Sequence, residues 1–216
     1  MRRLAFLVLA TAVLSATGAL AAGNPHAEKV HLTRSGNRLA RLTVLRHGDL
    51  PDWTQIPSPP NDNSLTCPGF DPDVSALTIN GKATAAFRGS ALAEIQSTAD
   101  VFASHAQAVT DFKAGAKSQL AGCLRYLMDK AFRASSGPVK ASVLSARMLR
   151  APSLGERAAA YRLVSRVRVS TLAIKGYTDL LVIQRGRTIA ALIFTGIDNP
   201  VPSQSYYGRT VAARMR

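Results

Sequence analysis

The chain is short of acid. Of its 216 residues 13 are Asp or Glu against 27 Lys or Arg, a formal charge of +14. It holds two cysteines and four histidines. Two cysteines are too few for a disulfide-dense miniprotein or for a zinc site built of cysteines alone. No two histidines have the spacing of a metal site on one element, and no His-Glu-x-x-His occurs, so the zincin signature is excluded. A Gly-x-Ser-x-Gly elbow is missing, as is a Gly-x-x-x-x-Gly-Lys phosphate loop. After the first residues there is no long apolar run, and there is no heptad array, collagen period or internal repeat. The sequence points to no cofactor and no metal.

What is present first is an N-terminal address. Arg2 and Arg3 precede the apolar run Leu4 to Leu14, which ends in Ala19-Leu20-Ala21. A charged region, an apolar region and a small-x-small exit are the parts of a secretory signal peptide. Residues 1–21 are therefore expected to be removed near Ala21, leaving a secreted, extracytoplasmic protein with no transmembrane segment. The apolar run is short for a span, which needs about 20 residues. The remainder carries 25 basic and 13 acidic side chains. The imbalance is local: residues 133–216 hold 14 basic and 3 acidic side chains. Such an electropositive half attracts polyanions, although a solvated Arg-rich sheet face has the same composition.

Cys67 and Cys123 are expected to form a disulfide, because export places an even cysteine count in an oxidising space. The bridge would tie the loop Ser64-Leu65-Thr66-Cys67-Pro68-Gly69-Phe70 to a helix. That loop belongs to residues 49–73, which contain six of the eleven prolines and so read as one long loop.

The pattern along the chain predicts one α+β domain over residues 39–216, after a flexible leader at 22–38. Leu39 to Arg46 alternates and reads as a strand, as does Gly81 to Arg88. Ser97-Thr98-Ala99-Asp100 reads as a helix start with Ser97 as N-cap, followed by the stripe Phe102, His105, Val109 and Phe112. Gly115 ends or interrupts that helix. Leu120, Cys123, Leu124, Leu127, Met128 and Ala131 recur at helical spacing. Strands follow over Val139–Leu149, Glu156–Val169, Thr178–Gln184 and Arg187–Thr195, the last two joined at Arg185-Gly186. Ser203 or Ser205 caps a short helix running to Arg214. The expected order is β-β-α-α-β-β-β-β-α, with helices packed on an antiparallel sheet.

Several of these features occur together: Asp49-Leu50-Pro51 after a first strand, Cys67-Pro68-Gly69-Phe70, a helix pair carrying Cys123, and strands with Arg185-Gly186-Arg187 at a hairpin. In this the chain resembles the extracytoplasmic sensor-type domains of actinobacteria, the PknH-like extracellular domains, and their Mog1/PsbP-like relatives. The resemblance covers most of residues 39–214. It implies a fold with a cleft for an unidentified ligand, and it transfers no binding residues.

Functional candidates are few. Trp53, Phe70, His105, Arg162, Arg166 and Tyr206 are the candidate binding residues. His105 is the histidine inside a helical pattern, with Asp100 and Asp111 near it in sequence. Asp71 and Asp73 offer carboxylates to a hard cation, or simply serve a turn. Trp53, Tyr206 and Tyr207 offer stacking surfaces, or hold loops to a core. The favoured reading is a non-enzymatic, sensor-like binding domain, expected to be a monomer, with an apolar pocket for a small ligand. The alternatives are a hydrolase assembled from His105, Asp71 and Ser64, and an envelope protein that binds polyanions through its basic face. Nucleic acid is not the expected partner.

Overall fold

Strand signals in the second half of the chain merge into one sheet. A computed structural model describes residues 24–58, 65–89, 93–134, 139–169 and 172–215. The proposed signal peptide and Ser64 lie outside the described residues. In chain order the elements are β1 (Lys29–Val30), α1 (Arg34–Thr43), a 3-10 turn at His47–Asp49, β2 (Thr54–Ile56), β3 (Thr78–Arg88) and β4 (Glu94–Phe102). Then come α2 (His105–Gly115), α3 (Gln119–Ala134), β5 (Val139–Leu149), β6 (Arg157–Val169), β7 (Leu172–Arg185), β8 (Thr188–Ile197) and α4 (Gln204–Arg214). The class is α+β, as the pattern implied.

The sheet runs β1-β3-β4-β8-β7-β6-β5, with β2 also paired to β3. Every pairing is antiparallel except β1 with β3. Helices pack on both faces. On one face α1 and α4 cover Phe87, Ile95, Ala99, Leu181, Ile183, Leu192 and Phe194. On the other, α3 and the loop residue Phe70 enclose Tyr161 and Leu180, while α2 contributes Ala108 beside Ile79, Phe102 and Ile189.

The second half matches its pattern because β6 is buried on one face only over its C-terminal part. Ala159, Tyr161, Leu163, Ser165 and Val167 are buried while Arg166 and Arg168 are exposed, the period-two alternation of a half-covered strand. Gly186 turns the β7–β8 hairpin with φ of 55°. Ser203 is the residue before α4, but it sits in the left-handed region and makes no side-chain cap bond.

Three expectations for the first half are corrected. Leu39 to Arg46 is not a strand: α1 occupies Arg34–Thr43, with Gly36, Ala40 and Thr43 buried. Those three recur at helical spacing, and Thr33 Oγ1 accepts the Gly36 N–H at 3.0 Å as the N-cap. Residues 29–38, expected within a flexible leader, pair with β3 and begin this helix. Ser97 to Asp100 is not a helix start but the middle of β4, a central strand covered on both faces. The strand does alternate, with Glu94, Gln96, Thr98 and Asp100 on one face and Ile95, Ser97, Ala99 and Val101 on the other, but its Ser-Thr-Ala-Asp run also has the residue types of a helix cap. The true cap of α2 is Ser104, whose Oγ accepts the Gln107 N–H at 3.2 Å.

α1 meets β3 at backbone distance. A Cβ built on Gly81 would enter the Gly36 backbone, and one built on Gly36 would enter the Asn80 carbonyl. Gly81→Ala is therefore expected to cost about 2 kcal/mol or more, since packed backbone cannot yield to an added methyl. Thermal melting checks this, and an unchanged midpoint would contradict it.

Cys67 and Cys123 form a disulfide across 56 positions. It joins the proline-rich loop to α3 beside Phe70, Leu120 and Tyr161. Cys67→Ser or Cys123→Ser is expected to cost about 4 kcal/mol in the chain-entropy treatment of a loop this long. The measurement is the melting temperature of each variant under oxidising conditions, against the parent with and without reductant.

Candidate functional site

The antiparallel register carries a row of side chains across the helix-covered face containing α1 and α4. It runs Phe87, Ile95, Phe194, Asp179, Arg162 and Arg147 from β3 to β5. The row begins apolar under α1 and α4 and turns ionic where their cover ends. Asp179 is buried, and Arg162 donates to it through Nε at 2.6 Å and Nη2 at 2.8 Å. Gln204 Nε2, at the start of α4, donates to the same carboxylate at 2.5 Å. The hydrogen bonds from Arg162 to Asp179 raise the guanidinium pKa above its ordinary value, against the cost of burial. The Tyr177 ring lies 6.0 Å from the Arg162 guanidinium carbon. Arg162 is thus a structural cation that fixes the N-terminus of α4.

Beyond this row β5, β6 and β7 extend past the end of β8. The same face there carries Lys140 opposite Arg168, Ser142 opposite Arg166, and Arg166 opposite Lys175. Arg147 stands opposite Arg162. Lys140, Arg147, Arg166, Arg168 and Lys175 are all exposed. Glu156 is the only acid between residues 139 and 178, and it is engaged elsewhere: it accepts the Gly186 N–H at 2.9 Å and pairs with His105 at 2.8 Å. The Gly186 N–H first, and His105 second, hold its carboxyl below the usual range. Like charges directly opposite one another on a sheet repel, so this surface is electrostatically unfavourable when bare.

A second basic feature lies on α1. Arg34, Asn37, Arg38, Arg41, Leu42 and Arg46 line an open groove of about 360 Å³. Its rim is basic, while most of the surface turned to the groove is apolar, from the alkyl stems of these arginines and from Leu42.

The remaining candidates have structural occupations. Phe70 is buried against α3. Trp53 packs on the first core and lies under Gly89. Tyr206 is exposed on α4 and meets Tyr207 edge-on at 5.5 Å, while Tyr207 stacks on Phe194 at 6.3 Å. Asp73 accepts both the backbone N–H and the hydroxyl of Ser75, which lowers its pKa and serves the turn. Asp71 pairs with His26 at 2.9 Å. His105 takes Glu156 as its carboxylate, so the structure does not pair it with Asp71 as the hydrolase arrangement required. Among the described residues no group of three or more His, Cys, Asp or Glu side chains could hold a metal ion, and no helix is long and apolar enough to cross a membrane. No protein-family model matches the chain, and no curated protein matches its sequence.

Sequence reasoning missed the α1 groove because it read that segment as a strand. The signal was there: residues 30–48 contain Arg34, Arg38, Arg41 and Arg46 and no acid. It also missed an acidic pair below the opposite face. Asp111 on α2 is hydrogen-bonded to Glu28, with Asp100 of β4 close by. Burial first, then the charges of Glu28 and Asp100, push the Asp111 carboxyl up to about 8.

That shift has a definite sign. Between the ordinary value of 3.8 and about 8 the folded chain retains a proton that the unfolded chain releases, so stability falls as pH rises through that window. Asp111→Asn keeps a donor toward Glu28 without the titration. Its melting temperature is expected to exceed the parent's by a margin that grows with pH up to about 8 and then levels off. A margin independent of pH in thermal melts would show that Asp111 does not hold the proton.

Proposed function

We propose that this chain is a non-enzymatic, extracytoplasmic binding domain whose ligand is a linear cell-envelope polyanion, held along the exposed face of β5, β6 and β7. The observation that carries this reading is the set of like-charged cross-strand pairs, Lys140 with Arg168 and Arg166 with Lys175. Repulsion across directly opposed positions lowers stability. A bound anion between such cations removes the repulsion and adds charge-assisted hydrogen bonds, which are the stronger kind. Alternate residues on one strand stand roughly 6.7 Å apart. The face therefore offers cations at a short, regular period, suited to a chain of repeated phosphate or carboxylate groups.

Other features support the same reading. The terminal address and the disulfide suit a protein that acts outside the cytoplasm. The resemblance to PknH-like extracellular domains fits an envelope role, although the strand it placed before Asp49-Leu50-Pro51 is the helix α1. The hydrolase arrangement loses its support, because His105 and Asp71 have separate partners.

The test uses long-chain polyphosphate as probe and the variant Lys140→Gln/Arg166→Gln/Arg168→Gln/Lys175→Gln. The parent is expected to bind with an affinity that falls steeply with salt. The variant is expected to bind at least about tenfold more weakly with a flatter salt dependence. Unliganded, it should melt no lower than the parent, because the repulsion is gone. Equal affinity of parent and variant would overturn the proposal.

A further inference from the structure

We infer that the groove along α1 is a second, separate binding site, for a compact ligand that carries at least two phosphate groups. The inference does not depend on the polyanion reading, because it rests on a different element and different residues.

Arg34, Arg38 and Arg41 are spaced four and three residues apart, which puts them on one side of the helix. All three are exposed, and among the described residues no carboxylate pairs with any of them. Arg46 follows the helix and is held in place: its Nη2 donates to the Leu42 carbonyl at 2.8 Å, in the last turn of α1. Asp49, the nearest acid in sequence, is unavailable. It accepts both Arg214 and the backbone N–H of Arg46. Burial opposes the charge on Asp49, but these hydrogen bonds, led by Arg214, outweigh it and hold the carboxyl below its ordinary value.

Asn37 adds a neutral donor. Its Oδ1 accepts the Lys82 N–H at 3.2 Å, so what remains for the groove is its NH₂ group. Leu42 supplies one apolar wall. The floor is stiff, because Gly36 and Gly81 bring the helix and β3 into backbone contact. The groove thus combines four arginine side chains, an amide donor and a fixed frame, with no acid in its lining.

This chemistry selects phosphate over a single carboxylate. A guanidinium fork matches either anion, but phosphate presents more acceptor oxygens and more charge. Several forks around one groove exceed what one carboxylate can satisfy. A volume of about 360 Å³ lies in the range of small-molecule sites. The ligand is therefore compact, either a free oligophosphate or a two-phosphate lipid headgroup.

Binding of tripolyphosphate by titration calorimetry, and of cardiolipin vesicles against phosphatidylcholine vesicles by co-sedimentation, tests the site and tells these sources apart. The variants are Arg38→Gln/Arg41→Gln, with Arg34→Gln as a milder second, and the sheet-face variant Lys140→Gln/Arg166→Gln/Arg168→Gln/Lys175→Gln as control. All the altered side chains are exposed, and melting curves confirm folding. At least one of the two probes is expected to bind the parent and the sheet-face control alike, and to weaken about tenfold or more in Arg38→Gln/Arg41→Gln. A soluble arm that responds alone identifies a free oligophosphate, and a vesicle arm that responds alone identifies a headgroup. Three results would overturn the inference: neither probe binding the parent, the α1 variants binding like the parent, or the sheet-face control losing as much as they do. The last would reduce the effect to diffuse charge, and it would leave the polyanion reading untouched.

Discussion

The ladder between β4 and β8 is the constraint on which the rest of the structure depends. It joins Glu94–Val101 to Thr188–Thr195 and, among the described residues, is the only strand pairing between the first four strands and the last four. Both covered faces meet across it. On one side Ile95 and Ala99 pack with Ala190, Leu192 and Phe194; on the other Phe102 packs with Ile189. Small residues at Ser97, Ala99, Ala190 and Ala191 leave room for the layers packed on both faces of the two strands. From this seam the register propagates outward, and it decides that Arg162 meets Asp179 and that Arg166 meets Lys175.

Scarcity of acid shapes what the sheet presents. The carboxylates available are spent on holding elements in place. Asp49 fixes Arg214 at the end of α4, Asp179 fixes Arg162 and Gln204 at its start, and Glu94 pairs with Arg88 between β3 and β4. Among the cations left over, two groups stand close together, one at the bare end of β5–β7 and one on the outer side of α1. Both lie on the same side of the sheet, with α4 between them. Each is a cost in electrostatic self-energy that a folded protein relieves by binding an anion.

The sequence was legible where burial is one-sided. β6 alternates because one face is bare at its outer end, and α3 shows its stripe because Leu120, Cys123 and Leu124 face a core. The disulfide followed from arithmetic on two cysteines. The reading failed where a local run imitates another signal or where the buried residues are small. β4 alternates Glu94, Gln96, Thr98 and Asp100 with Ile95, Ser97, Ala99 and Val101, but its Ser-Thr-Ala-Asp run imitates a cap. α1 buries Gly36, Ala40 and Thr43 rather than large apolar side chains, so its inner face carries little hydrophobic signal, and Leu39, Leu42 and Val44 suggested a strand. The candidate residues divided along the same line. Phe70 and Trp53 hold the proline-rich loop to the core, one of the two roles such aromatics offer. The cations of β5 to β7 act together only through register, which no local window displays.

The seam between β4 and β8 also governs the order in which the molecule can form. Its partners lie roughly ninety positions apart, and loop closure must be completed before such contacts stabilise anything. While a ribosome is still making the second half, β3 and β4 have neither their neighbour strand nor α4. They have only β1, β2 and α1 to pair and pack with, and the second edge of β4 is left open. The first half completes its core only when β8 emerges. Until then the face of β4 that β8 will pair stays open, so the two halves of the chain reach their folded state together.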